Sequence, residues 1–394
     1  MNKSVKFKDV FEDLITGEWG NECSDNKNGV FIIRTTNFTN EGIINFENVI
    51  KRNISQNKIK EKRLKEGDII IEKSGGTDKT PVGRVVYCDK EIESNIYLCN
   101  NFTQVLRVNR TVANPKYIFY YMFYLHMKGI TKLLQSKTTG IRNLQMNSYL
   151  NMKCVSPSLN EQKKIVYILN KVTSLVQLKK EQIKKYDIIK QSLFIEMFGD
   201  PIKNPMNWNK EKLENKCQII TGNTPSRKID NYYGNYIEWI KSDNIDINQS
   251  IITKAVEYLS EKGLKVGRCV DNNSILMTCI AGSIKCIGNV AITNRKVAFN
   301  QQINAIVPNN QNVWFMYIQF KICQQYIQGS INMSLKGILS KSRLSELLFI
   351  FPPMKLQNQF AERVQQIDKS KLAIQQSLEQ LKTLKKSLMQ EYFG

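Results

Sequence analysis

The chain carries the same plan twice, and that repeat constrains its fold more than any other feature. Lys385-Lys-Ser-Leu-Met-Gln-Glu-Tyr-Phe-Gly394 answers Lys190-Gln-Ser-Leu-Phe-Ile-Glu-Met-Phe-Gly199 with six of ten positions identical. The offset of 195 residues runs back without a gap to Gln162 and Gln357, each shortly after proline (Pro157; Pro352-Pro353). A duplication of this kind fixes architecture before any single element is assigned.

Within each copy, apolar residues recur every seven positions. Phe360, Ile367, Ile374, Leu381 and Leu388 form one row, with Val364, Leu378 and Tyr392 four residues behind members of it. In the first copy Ile165, Val172, Tyr186 and Leu193 hold that row, Lys179 interrupts it, and Leu169, Val176, Ile183 and Met197 follow. Neither stretch contains an internal Gly or Pro. Each predicts a continuous helix of about 35 residues, roughly 50 Å long, whose seam wants a partner helix. The other copy, packed antiparallel, is the expected partner.

The segments ahead of the helices correspond as well. Ile15-Thr16-Gly17 matches Ile220-Thr221-Gly222, and Ile33-Arg34-Thr35-Thr36-Asn37 matches Ile240-Lys241-Ser242-Asp243-Asn244. The apolar run Asp68-Ile-Ile-Ile71 matches Ser274-Ile-Leu-Met277, and Asn100 to Gln104 matches Asn300 to Asn304. An aromatic helix follows in each, Lys116 to Leu134 and Asn312 to Ile327, then Thr138 to Leu144 and Ser334 to Leu339. The offsets drift between 195 and 207, so insertions fall in loops while elements are kept. The expected fold class is α+β: two mixed domains related by a pseudo-twofold repeat and separated by two long antiparallel coiled-coil helices. The boundaries read as 1–158 and 200–352 for the domains, and 159–199 and 353–394 for the helices.

Lys and Arg number 57 against 35 Asp and Glu, a net charge of +22. A surplus that large is commonly balanced by a polyanion, most often nucleic-acid phosphates. The longest apolar stretch, around Tyr117 to Leu125, is too short to span a bilayer. The N-terminus offers no apolar segment to act as a signal peptide. Nine scattered cysteines without a C-x-x-C pair read as reduced thiols in a cytoplasm. His126, the only histidine, reads as a core residue, so no metal site is expected.

At this point the sequence resembles a known family. Thr221-Gly-Asn-Thr-Pro-Ser226, Tyr232-Tyr-Gly234 and Trp239-Ile-Lys-Ser-Asp243 look like the opening of a target recognition domain from the DNA specificity subunit of type I restriction-modification systems. Asn300-Gln301, Ser334 to Ile338 and Pro352-Pro353 ahead of a long helix are further marks of it. The first copy departs from that opening, with Thr16-Gly-Glu-Trp-Gly20, and Leu356-Gln357 stands where the first helix has Glu161-Gln162. The resemblance implies a non-catalytic reader of double-stranded DNA. Each recognition domain takes one half of a split asymmetric site, and the helices set the spacing. They also dock two methyltransferase subunits carrying S-adenosylmethionine, with two restriction subunits as an optional addition. A rod of roughly 50 Å corresponds to about 15 base pairs, which suits two short half-sites and an unread spacer.

The residues agree that the chain holds no chemistry of its own. Phe351-Pro-Pro-Met354 lacks the leading Asn/Asp and the aromatic of an amino-methyltransferase motif, and no phosphate-loop motif appears. Asp68 with Glu72-Lys73 has the composition of a nuclease centre, but its spacing is off and the second copy has Thr278-Cys279. Arg and Lys suit guanine, Asn and Gln suit adenine, and Lys, Ser and Thr suit phosphates. On that basis the candidate DNA-binding residues are Arg34, Thr35, Asn37, Lys73, Lys79, Arg142 and Asn143 in the first domain. In the second they are Thr224, Ser226, Lys241, Asp243, Asn244, Ser283, Lys285 and Lys336. Gly17, Gly222, Gly140 and Gly337 permit turns or close backbone approach. Two rival readings stay open here: a stand-alone DNA- or RNA-binding regulator, and a coiled-coil scaffold with an incidental basic surface.

Overall fold

The computed structural model describes residues 3–23, 29–77, 80–138, 140–331 and 337–394. The chain divides into two compact units, Met1–Leu178 with Glu379–Gly394, and Lys179–Leu378. Both are mixed α+β and share one strand scheme. The first holds an antiparallel sheet in the order Phe11–Thr16, Thr103–Val108, Ile69–Glu72, Val85–Tyr87. The second repeats it as Cys217–Thr221, Ile303–Pro308, Ile275–Thr278, Val290–Ile292. A parallel pair lies in another sheet of each unit, Val30–Ile33 with Tyr97–Cys99 and Tyr233–Ile240 with Val297–Phe299.

The unbroken apolar runs are explained by burial on both faces. Ile69 and Ile71 enter one core and Ile70 another, and Ile275 and Met277 are likewise separated from Leu276. The aromatic helices Pro115–Met127 and Val313–Ile322 are core elements, with Tyr117, Ile118 and Met122, and Phe315, Met316 and Phe320, almost wholly buried. Each begins at an asparagine whose side chain accepts hydrogen bonds from the first turn: Asn114 from the Lys116 and Tyr117 amides, Asn312 from those of Trp314 and Phe315. His126 is half-buried, its Nδ1 lies 2.9 Å from Thr131 Oγ1, and burial, with the nearby Arg84 charge, pushes it down to about 4. Cys88, Cys99, Cys154, Cys217, Cys269, Cys279, Cys286 and Cys323 are free thiols. Among the described residues, no helix is long and apolar enough to cross a membrane.

The two long helices, Leu159–Phe198 and Met354–Phe393, run 40 residues each, longer than the heptad rows alone indicate. The first opens on a capping box, in which Ser158 N donates to Glu161 Oε2 at 2.9 Å and Glu161 N donates to Ser158 Oγ at 3.3 Å. Gln162 and Gln357 are buried and perform matching tasks. Gln162 Oε1 accepts from Asn114 N at 2.8 Å while its Nε2 donates to Pro157 O at 2.9 Å. Gln357 Oε1 accepts from Asn312 N at 3.0 Å and its Nε2 donates to Pro352 O at 2.8 Å. Each glutamine therefore ties the start of a long helix to the start of the aromatic helix.

Within each unit, the beginning of one long helix packs with the end of the other, the antiparallel arrangement. Val166 and Leu169 share a core with Met389 and Phe393 in the first unit, and Phe360 and Val364 with Phe194 and Phe198 in the second. The seam needs one correction. Val172 and Phe360 are buried, but Ile165, Ile183, Leu193, Ile367, Ile374, Leu381 and Leu388 are only half-buried. Phe194, Phe198, Met389 and Phe393, off the heptad row, are buried as well, because each helix covers a sheet-and-helix core in addition to its partner helix.

Candidate nucleic-acid interface

The candidate residues stand on a backbone frame that both units build alike. Gly17 and Gly222 follow the first strand of each four-stranded sheet, where a Cβ would lie 1.8 Å from Asn100 O and 2.0 Å from Asn300 O. Only glycine permits that approach. Beyond it, Lys73 N donates to Phe102 O at 2.9 Å and Leu144 N to Lys73 O at 2.8 Å. In the second unit Cys279 N donates to Gln302 O at 2.7 Å and Leu339 N to Cys279 O at 3.0 Å. The loops Thr35–Asn37 and Ser242–Asn244 are matching 3-10 turns.

Those turns correct two of the candidates. Asn37 is buried: its Oδ1 accepts from Arg34 N at 3.0 Å, and its Nδ2 donates to Asn45 O at 3.0 Å and Glu47 O at 3.3 Å. Asn244 repeats the pattern, accepting from Lys241 N at 3.0 Å and donating to Lys254 O at 3.0 Å and Thr253 Oγ1 at 3.2 Å. Both amides are spent on holding a loop, so neither is presented to a base edge. Lys79 and Lys336 lie outside the described residues.

In the first unit, four candidates gather at the end of strand Ile69–Glu72. Arg84 grips Glu72 with Nε to Oε2 at 2.8 Å and Nη2 to Oε1 at 3.0 Å, and donates to Thr35 O at 3.2 Å. Lys73 leaves the same strand end half-buried, and Ser74 beside it donates to Asn143 Oδ1. Arg142 is next to Asn143 on the strand Ile141–Leu144 that pairs with Ser74–Gly76. Arg34 reaches the other way, to Asn48 O at 3.3 Å. Asp68 is held by Arg107 at 2.9 Å, so both carboxylates of the nuclease-like set are engaged by arginines. Among the described residues no group of His, Cys, Asp and Glu could hold a metal.

The second unit assembles a different rim. Thr224 donates to Gln301 Oε1, and Ser226 and Asp243 are exposed. Lys241 pairs with Glu257, which also binds Arg227 at 2.5 Å. The Arg227 guanidinium lies over Tyr233 (4.3 Å) and Trp239 (5.2 Å), and the Lys241 ammonium also faces Trp239 at 5.2 Å. Ser283 and Lys285 are exposed on a separate turn.

Residues 2–186 and 205–383 each match the family model described as "Type I restriction modification DNA specificity domain". The chain belongs to this family. It is 23% identical over 98% of its length to a protein named for the specificity subunit of the MjaX type I restriction enzyme of Methanocaldococcus jannaschii, covering 91% of that protein. It is 32% identical over 34% of its length, and 28% of the relative's, to the HindI specificity subunit of Haemophilus influenzae. Two solved structures share the fold across nearly the whole chain. One comes from work on complex assembly and conformational transition of the type I R-M system (TM-score 0.57, 15% identity, 99% and 97% of the two chains). The other is the type I S subunit from M. genitalium (TM-score 0.55, 14% identity, 100% and 96%).

Sequence reasoning missed several residues of these specificity domains. In the second domain they are Arg227, Tyr233, Trp239 and Glu257. In the first, Glu18 Oε2 sits 3.0 Å from both Lys58 Nζ and Lys62 Nζ, and the Arg52 guanidinium lies 4.4 Å from the Trp19 ring. Tyr233 and Trp239 stood inside the quoted motifs, so a signal for them existed. The carboxylate partners lie 30 and 44 residues from Arg227 and Lys62 in sequence, and nothing local marked them.

Proposed function

We propose that this specificity subunit reads a split, asymmetric double-stranded DNA site, with recognition domains 1–158 and 200–352 taking one half each. The helical segments 159–199 and 353–394 fix the spacing and dock two methyltransferase subunits, which supply S-adenosylmethionine and the methyl transfer. Two restriction subunits join through them where the host encodes any. The observation that carries this reading is one backbone frame built twice with different polar side chains on its rim. Arg34, Thr35, Lys73, Arg142 and Asn143 stand in one unit, and Thr224, Ser226, Lys241, Asp243, Ser283 and Lys285 in the other. Equal frames with unequal rims suit two half-sites of unlike sequence, and the charge of +22 suits the phosphates between and around them.

The test is to purify the chain with the methyltransferase encoded beside it and map methylated positions on DNA modified by the pair, by the chain and by the partner separately. Methylation by the pair alone, within a bipartite motif, is expected. Methylation by the partner alone, or a single continuous motif, would remove the two-reader arrangement. A coiled-coil scaffold with an incidental basic surface would further show little loss of DNA binding between about 50 and 200 mM salt, where phosphate contacts predict a steep one.

A further inference from the structure

Both units place one carboxylate between two cations beside the Thr-Gly loop. In the second, Glu257 takes Arg227 with one oxygen and Lys241 with the other. In the first, a single oxygen of Glu18 takes Lys58 and Lys62. The two sites were not copied from a common set, because the residues come from different elements. Lys58 and Lys62 belong to helix Gln56–Lys62, whereas Lys241 precedes the turn Ser242–Asn244 and Arg227 lies in the loop after Gly222. An aromatic–guanidinium stack accompanies each, Arg52 on Trp19 and Arg227 on Tyr233.

One cation of each pair is open, the Arg227 and Lys58 side chains keeping 55% and 51% of their exposure against 31% for Lys241 and 19% for Lys62, so a larger anion reaches each site through its outer cation. Two cations converging on one anion make the geometry that a DNA phosphodiester also needs, with two oxygens offered to donors already in place. The hydrogen bond from Lys241, joined by that from Arg227, holds the Glu257 carboxyl below the usual range, and those from Lys62 and Lys58 do the same for Glu18. The occupant is therefore anionic at neutral pH.

We propose that Arg227 with Lys241, and Lys58 with Lys62, are backbone-phosphate sites occupied in the free protein by the chain's own carboxylates, Glu257 and Glu18, which restrain binding to DNA of any sequence. A phosphate entering either site displaces the carboxylate or shares the cations with it. In both cases a negative charge next to the phosphate weakens attachment, and more so where no base contacts compensate. This inference rests on the reading of the units as DNA readers.

The experiment measures binding of the complete chain, co-purified with its methyltransferase, to a duplex of scrambled sequence by fluorescence anisotropy across a salt series. Glu257→Gln and Glu18→Gln should each tighten binding about three- to tenfold near 0.1 M salt and steepen the log–log salt slope by about one. Glu93→Gln makes the same charge change on the exposed turn Lys90–Ser94, away from the named rim residues and the long helices, and should shift affinity less than about twofold. Adding Arg227→Ala to Glu257→Gln should abolish the gain. Unchanged or weaker binding by the two glutamine variants, or an equal gain from Glu93→Gln, overturns the restraint while leaving DNA reading intact. Failure of the unaltered complex to bind any duplex overturns the reading itself, and the restraint with it.

Discussion

In the first unit the central strand ends in Glu72, gripped at two points by Arg84; in the second it ends in Thr278, with Asn289 where Arg84 stands. The backbone does not register the exchange. Gly83 N reaches Glu72 O at 2.9 Å, and Gly288 N reaches Thr278 O at the same 2.9 Å. On the helix side the contrast runs the other way. The second unit buries Lys190 and Lys371, with Lys190 Nζ 2.6 Å from Asp368 and 3.1 Å from Asp187, and Lys371 Nζ 2.8 Å from Asp187 and from Asn248 O. At the repeat offset the first unit has Lys385, Thr173, Lys382 and Val176 for Lys190, Asp368, Asp187 and Lys371. The duplication has kept side chains that satisfy buried backbone groups, such as Gln162 and Gln357. Charged side chains paired mainly with one another, each giving at most one bond to the backbone (Arg84 to Thr35 O, Lys371 to Asn248 O), have changed together, since exchanging the whole set strands few backbone groups.

The largest expected effect falls where the units are most alike. Gly17→Ala and Gly222→Ala each force a methyl group onto a neighbouring carbonyl oxygen, a contact that only a backbone shift relieves. A loss of about 4 kcal/mol or more is expected, at the upper end for single substitutions. Hydrogen exchange read peptide by peptide should show Gly17→Ala loosening the strand Phe11–Thr16 and its neighbours, and Gly222→Ala loosening Cys217–Thr221. Near-native protection in either variant would mean that the two frames are not held by this approach.

The ion cluster should separate the units. Lys371→Met leaves the Asn248 carbonyl without its donor and Asp187 with Lys190 alone, and is expected to cost the second unit about 3 kcal/mol. Lys382→Met, at the position matching Asp187, removes an exposed ion pair with Glu379 (2.6 Å) and should cost the first unit under about 1 kcal/mol. Burial alone would raise the Asp187 carboxyl, but the hydrogen bond from Lys371 and the charges of Lys190, Lys371 and Lys321 outweigh it and hold the group below its ordinary value. A depressed folded value means stability that is present above the unfolded Asp range, near about 3.9, and lost as pH falls through the lower folded one. Acid should therefore loosen Lys179–Leu378 with a term that Lys371→Met diminishes. A pH profile unchanged by that substitution would discount the cluster.

Much of this was legible in the sequence, for reasons of period and repetition. The heptad rows gave two long helices because apolar spacing at 3.5 has few other solutions, and the repeated Thr-Gly, Asn and Gln positions marked the frame because the same backbone demand recurs. What escaped was set by tertiary geometry. Asn37 and Asn244 have the chemistry of base readers, and only the fold shows each amide spent on its own loop. Phe194 and Phe198 sit off the heptad row, so the seam alone could not reveal that the helix end also closes a domain core. Glu257 and Glu18 gained their importance from cations distant in sequence, which neither composition nor spacing connects to them.

The smallest difference between the units is expected at the glutamine clamps. Gln162→Ala and Gln357→Ala should each cost about 2 kcal/mol, from one buried amide and one buried carbonyl losing their partners. The two values should agree within about 0.5 kcal/mol, since the distances match to within 0.2 Å. Glutamate sharpens the comparison. At neutral pH Gln357→Glu keeps an acceptor for Asn312 N, but it has no proton to give Pro352 O and buries a charge, so it should destabilise more than alanine. Burial raises the folded value of that carboxyl above its unfolded one, and stability should return as the pH falls through it, because the protonated acid can again donate. Urea titrations of both glutamate variants at pH 7 and pH 5 would show it. Recovery in one unit alone would mean that the two clamps, alike in distance, differ in how tightly the surrounding core holds the carboxyl in place.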